Sequence, residues 1–301
     1  MQTPEDFGSQ IAPNQTFLPE QAKPRIIDPD DPPWGFLIAF VAWVATLFLL
    51  IIAPLIFLLP YAIKRGLQPS SPTFAQAFTE LALKDPIAIF LQVLSTLPTH
   101  LVTFLIVWAI VTRFGKYPFW ETIGWSWGKH LGLWSSIGLG VLLFAASSLV
   151  AELLGGDKPT QLDLILNSSP ATKYVIAFLA TFTAPFAEEF VYRGLLYSSL
   201  QRIIGKVMAV VFVLGLFTIV HVPQYWPNFG VIAAVGLLSV ALTVVRALSG
   251  RLLPCIIIHL LFNGVQSILI VAGIAGPKPS LKPEQVTSLI QPLFQTFFLL
   301  N

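Results

Sequence analysis

Seven long apolar runs divide this chain, and most of them stop at charged residues, prolines or polar turns. A helix crossing a bilayer core of roughly 30 Å needs about 20 mostly apolar residues. Trp34 to Ile63 meets that requirement and is closed by Lys64 and Arg65; Pro54 and Pro60 within it predict a kink or an early end. Pro86 to Val111 is the second run, closed by Arg113 and Lys116, and Leu131 to Leu153 is the third. Tyr174 to Ala187 opens a fourth, which runs into Glu188 and Glu189. Val207 to Val220, Phe229 to Val245 and Leu252 to Ala272 follow, and Val286 to Leu300 is a candidate short eighth element. An open sheet cannot satisfy its backbone in lipid, and the runs lack the alternation of barrel strands. The pattern therefore predicts an all-α fold, a polytopic transmembrane helical bundle of 7–8 spans.

Between these runs the chain changes character. Residues 1–33 are rich in proline and acids, with no apolar stretch of the signal-peptide kind, and are expected to be a flexible aqueous tail. Residues 34–170 hold the first set of spans, 171–276 a second set carrying most of the buried polar groups, and 277–301 a C-terminal tail or short helix. Tyr117 to Trp127 mixes tryptophans with polar residues, as expected of a segment at headgroup level.

Composition sharpens this picture. Hydrophobic residues make up 55% of the 301 positions and charged residues 11%, against about 25% in a soluble domain. The basic residues are scattered, which argues against a nucleic-acid partner. Cys255 stands alone, so no internal disulfide is available. With seven spans and the N-terminus inside, ten of the 17 Lys and Arg residues fall on inner segments or within the spans that border them, and seven outside. That balance favours a cytoplasmic N-terminus.

Ionisable residues inside apolar segments are costly and usually functional. Here they are His100, Glu188, Glu189, Arg193, His221 and His259, with Asn263 as an uncharged companion. Glu189 and Arg193 are four apart and share a helical face, so each lowers the cost of burying the other. Glu188 is rotated by about 100° from Glu189 and has no local counter-charge, which suits a general base. His221 ends the fifth run, where an imidazole can share a water with a carboxylate. His259 and Asn263, again four apart, offer two hydrogen-bond donors on one face for a developing oxyanion. Any one of these has a plain alternative: a lone histidine more often packs helices, as His100 beside Pro98 is expected to do, and Glu189–Arg193 can be a structural pair. The ordered set is harder to explain as packing, and it contains what water-mediated attack on an amide requires.

The three motifs Glu188-Glu189-x-x-x-Arg193, Phe217-x-x-x-His221 and His259-x-x-x-Asn263 resemble the pattern of the CAAX protease and bacteriocin-processing family, also called the Abi family. The resemblance covers Ala184 to Gly264, about the last third of the chain, and makes 171–276 the candidate catalytic core. It implies an intramembrane endopeptidase in which Glu188 and His221 activate the hydrolytic water. His259 and Asn263 would form the oxyanion hole, and Glu189 and Arg193 would support the site. It implies membrane lipids and a membrane-associated or lipidated peptide as partners. The expected location is a bacterial plasma membrane, with a plastid as the alternative, and a site facing the cytoplasm. The N-terminal half carries no matching motif.

Other readings compete. A membrane adaptor or immunity-type protein could keep the fold without needing every catalytic residue. A proton-linked carrier would use buried carboxylates too, but transporters usually show internal repeats and broken helices in both halves, which are absent here. There is no H-E-x-x-H and no G-x-S-x-G elbow, and Gly155-Gly156-Asp157 is not G-x-G-D. His221, His259 and a glutamate could make a three-ligand zinc site, but the asparagine and the Glu–Arg pair fit oxyanion and orienting roles better, so no cofactor is expected.

Overall fold

The computed structural model describes residues 28–155 and 158–274, and these form helices and turns with no strand among them. The helices are α1 (Phe36–Lys64), α2 (Phe74–Lys84), α3 (Pro86–Leu94), α4 (Thr96–Thr112), α5 (Phe119–Thr122), α6 (Leu133–Leu153) and α7 (Gln161–Ser168). After them come α8 (Pro170–Phe178), α9 (Ala184–Glu189), α10 (Ser198–Tyr225), α11 (Phe229–Ser249) and α12 (Leu253–Val271). Two π-helical stretches, Leu179–Thr183 and Phe190–Tyr197, join α8, α9 and α10 into one continuous run.

Six helical stretches are long and apolar enough to cross a membrane. One of them, Pro170–Tyr225, has 56 residues and would be about 84 Å long at 1.5 Å per residue, far more than one bilayer. It breaks at Gly205, where φ is 78° and ψ 164°, a conformation that glycine tolerates and other residues rarely adopt. The break divides this stretch into two arms, 170–204 and 206–225. Many large apolar side chains on them are exposed, among them Leu37, Phe48, Leu142, Val211 and Ile219. Such a surface needs lipid around it, and the chain is a multi-pass membrane protein.

Local signals set several boundaries. Asp85 caps α3 by accepting from the amides of Ile87 and Ala88 at 2.9 and 3.0 Å, with Pro86 at the first helical position. The fourth run starts at Pro170, earlier than its apolar pattern suggests, because Ser169 caps it by accepting from Thr172 N. Nor does it end near Ala187. It continues through Glu188 and Arg193, because the buried charges find partners inside the bundle. Proline does not end α1, which runs on through Pro54 and Pro60 to Lys64; an ended helix in lipid would leave more backbone groups unpaired than two missing donors do.

The helix ends sort into two groups. At one end Leu252 N donates to Gly124 O, Arg202 pairs with Asp31, and Arg246 pairs with Asp30. At the other, Asn228 Nδ2 donates to Lys158 O, and Gly230 lies so close to α6 that a Cβ there would stand 2.2 Å from Ala151 O. Of the expected tail of residues 1–33, only 28–33 fall among the described residues. Residues 28–33 dock on the bundle because buried Arg246 needs a carboxylate and Arg113 and Arg202 need carbonyls, those of Pro33 and Pro32. The Tyr117–Trp127 segment is also partly buried: Phe119, Thr122 and Ile123 are inside, with Phe119 and Trp125 against Phe190. The candidate eighth element at Val286–Leu300 and the expected segment 277–301 lie outside the described residues.

Candidate active site

Pro185 organises the helix that carries the two glutamates. It has no N–H for the carbonyl of Thr181, and the ladder around it widens into π-helical turns on both sides of α9. Within α9 the neighbouring carboxylates face different surroundings. The Glu188 side chain is 24% exposed and lines a cavity of about 220 Å³, whereas the Glu189 side chain is wholly buried.

Glu189 is the hub of the three motifs. Its Oε1 accepts from Arg193 NH1 at 2.8 Å and from His259 Nδ1 at 2.8 Å. The rest of the guanidinium is also occupied: Nε donates to Thr243 Oγ1 at 3.2 Å, and NH2 to Ser239 O and Oγ at 3.0 and 3.1 Å. The same guanidinium lies 4.7 Å from the centre of the Phe217 ring, and Phe217 stacks on His221 at 4.5 Å. The phenylalanine of the second motif thus packs between the ion pair of the first motif and the histidine of its own.

Hydrogen bonds also set the histidine tautomers. His221 Nδ1 lies 2.7 Å from Phe217 O, which only accepts, so Nδ1 holds the proton and Nε2 of the neutral ring is a free base. His259 Nδ1 donates to Glu189, and its Nε2 stands 3.7 Å from Glu188 Oε2. That distance is an ion-pair contact, too long for a direct hydrogen bond. Nε2 of His259 can donate only when the ring carries both protons. Asn263 Nδ2 donates to Ala180 O at 2.9 Å, a carbonyl of the first π-helical stretch, and keeps a second N–H.

Glu188, His221, His259 and Asn263 line this one cavity, while Glu189 and Arg193 lie behind it. The six candidate residues are therefore together. His100, on α4, does not line this cavity; its Nδ1 bonds Thr183 Oγ1 at 2.8 Å beside an apolar groove. Among the described residues no group of three or more His, Cys, Asp or Glu side chains converges as metal ligands would. The cavity extends toward Ala151, Tyr225 and Val231, at the end of the bundle opposite residues 28–33.

The motifs alone do not reveal Ser239 and Thr243, which hold Arg193; small polar residues four apart in an otherwise apolar run are the available signal. Ser147, Gln224 and Gln266 also line the cavity from α6, α10 and α12. Tyr192, whose hydroxyl accepts from Trp43 Nε1 at 2.9 Å, ties α1 to this core.

No curated protein and no solved structure matches the chain. Residues 170–265, which hold all three motifs and both arms of the broken helix, match the family described as type II CAAX prenyl endopeptidase Rce1-like.

Proposed function

We propose that the protein is an intramembrane endopeptidase that hydrolyses a peptide bond in a membrane-associated, lipid-modified peptide. One observation carries this reading: a carboxylate, a histidine with a free Nε2, a second histidine and an asparagine from three helices line a single cavity. Glu188 takes one proton of a water whose other hydrogen is bonded to the free Nε2 of His221, and the hydroxide attacks the scissile carbonyl. The oxygen of the tetrahedral intermediate receives the free N–H of Asn263 and, from a doubly protonated ring, that of His259 Nε2. The proton held by Glu188 then passes to the departing amine. Glu189 and Arg193 touch no reacting atom; they hold the His259 ring at its angle. This route needs no metal.

The prenyl endopeptidase character of the matched family points to a prenylated peptide as the probe. The test is cleavage of an internally quenched prenylated peptide by purified protein in detergent, with and without chelator. Wild type is expected to cleave in chelator. Glu188→Gln should lose about 10³-fold in kcat at an unchanged melting temperature. Full activity in that variant overturns the assignment of Glu188, and activity lost to chelator replaces the metal-free route with a metal-assisted one.

A further inference from the structure

The cavity wall built by α6 lies outside residues 170–265. It consists of Phe144, Ser147, Ser148 and Ala151. The two serines are adjacent, yet their hydroxyls are used differently. Ser148 Oγ donates to Phe144 O at 2.9 Å, the usual back-bond of a helical serine. Ser147 is 2% exposed, and its Oγ has no partner.

Packing does not explain that hydroxyl. α6 forms a close seam with α11 and α12: a Cβ on Gly140 would stand 2.8 Å from Leu261, and Gly230 abuts Ala151 O. The seam demands a small residue at such positions, and alanine meets the demand without burying an unsatisfied hydroxyl, which is destabilising. Two further uncommitted groups line the cavity. The amides of Gln224 and Gln266 have no hydrogen-bond partner among the described residues. Both also line a smaller adjoining chamber, which shares Ala180, Tyr225 and Asn263 with the first. No lysine or arginine lines the main cavity.

We propose that Ser147 and Gln224 form the subsite for the substrate backbone, hydrogen-bonding a peptide group beside the scissile bond. A hydroxyl and a carboxamide each donate and accept, as the peptide group they meet does. The ligand class is an extended peptide segment, read through its backbone rather than through a charged side chain. This inference rests on the cavity's being a peptidase site. It adds a specificity element from a part of the chain the family match does not reach.

The test separates binding from chemistry. In the Glu188→Gln background, binding of a fluorescent prenylated peptide is read by anisotropy; in the active background, KM and kcat are measured on the quenched version. Ser147→Ala is expected to raise Kd and KM alike by about fivefold to tenfold, the loss of one neutral hydrogen bond. It should change kcat by less than about twofold and leave the melting temperature unchanged or higher. Gln224→Met, on a partly exposed position that tolerates substitution, should raise Kd in the same way. Unchanged Kd in both variants, or a loss confined to kcat, overturns the subsite. No binding by the Glu188→Gln protein overturns it as well. Tight binding by wild type without cleavage overturns the peptidase reading instead, and the Kd of the two variants still decides the subsite.

Discussion

Arg193 and Arg246 are both fully buried in one bundle, yet they are neutralised in different ways. Arg193 has every guanidinium nitrogen engaged, by a carboxylate one helical turn away and by groups of α11. Arg246 is neutralised from the far end of the chain. Its NH1 bonds Asp30 Oδ1 at 2.6 Å across 216 positions and its NH2 bonds Pro29 O at 3.0 Å, while its Nε stays unpaired. Glu189 is wholly buried, whereas Asp30 is 29% exposed at the bundle's end. The first network is a rigid support under the cavity. The second is a strap that water can reach and compete for. Burial of the cation alone therefore does not set the strength of the pair; the partner's surroundings do.

The largest effect should come from the rigid network. Glu189→Ala leaves Arg193 buried without a counter-charge, expected to cost about 3–5 kcal/mol in thermal or denaturant unfolding in detergent. It also removes the acceptor that orients His259, so any folded fraction should be inactive. An unfolding free energy within about 1 kcal/mol of wild type would show that the pair is not structural.

A smaller effect is expected at the strap. Asp30→Asn keeps the shape and loses the charge, with an expected cost of about 1–2 kcal/mol after allowance for solvent screening. The pH dependence sharpens the assignment. Burial works against ionisation of Asp30, but the charge and hydrogen bond of Arg246, with smaller help from Gln201 and Lys206, outweigh it. Its carboxyl accordingly titrates below the ordinary value of 3.8. A carboxyl depressed in the folded state stabilises fully above its unfolded value, and that stabilisation is lost as pH falls through the folded one. Wild type should therefore exceed Asp30→Asn in melting temperature at pH 6, with the gap closing below about pH 4. A gap that does not narrow at all as pH falls below the ordinary carboxyl value of 3.8 would place the stabilisation elsewhere.

The smallest effect should come from the exposed pair Glu80–Lys84, 2.6 Å apart with both side chains 60% exposed. Glu80→Gln is expected to leave the melting temperature unchanged, because solvent screens a pair in that position. A measurable drop there would undercut the argument that exposure separates the strap from the core.

The same contrast explains what could be read in advance. The apolar runs were legible because bilayer thickness imposes a length, and six helical stretches of the described residues meet it. Glu189–Arg193 and His259–Asn263 were legible because helical spacing puts residues four apart on one face. Glu188 stood out as the carboxylate without a local partner, and it is the one that reaches the cavity. The link from His259 to Glu189 was not legible, since 70 positions separate them. Nor was the place of Phe217 between Arg193 and His221, nor the two-residue hold of Ser239 and Thr243 on Arg193.

By itself, then, the sequence determined what depends on distance along one helix: the apolar runs and the charge pairs one turn apart. Only the tertiary structure decided which helices face one another. It brought His259 onto Glu189, tied Asp30 to Arg246 and left Ser147 without a partner in the cavity wall. The reason is physical. Helical geometry fixes the spacing of neighbours on one helix, whereas contacts between helices follow from how the whole bundle packs.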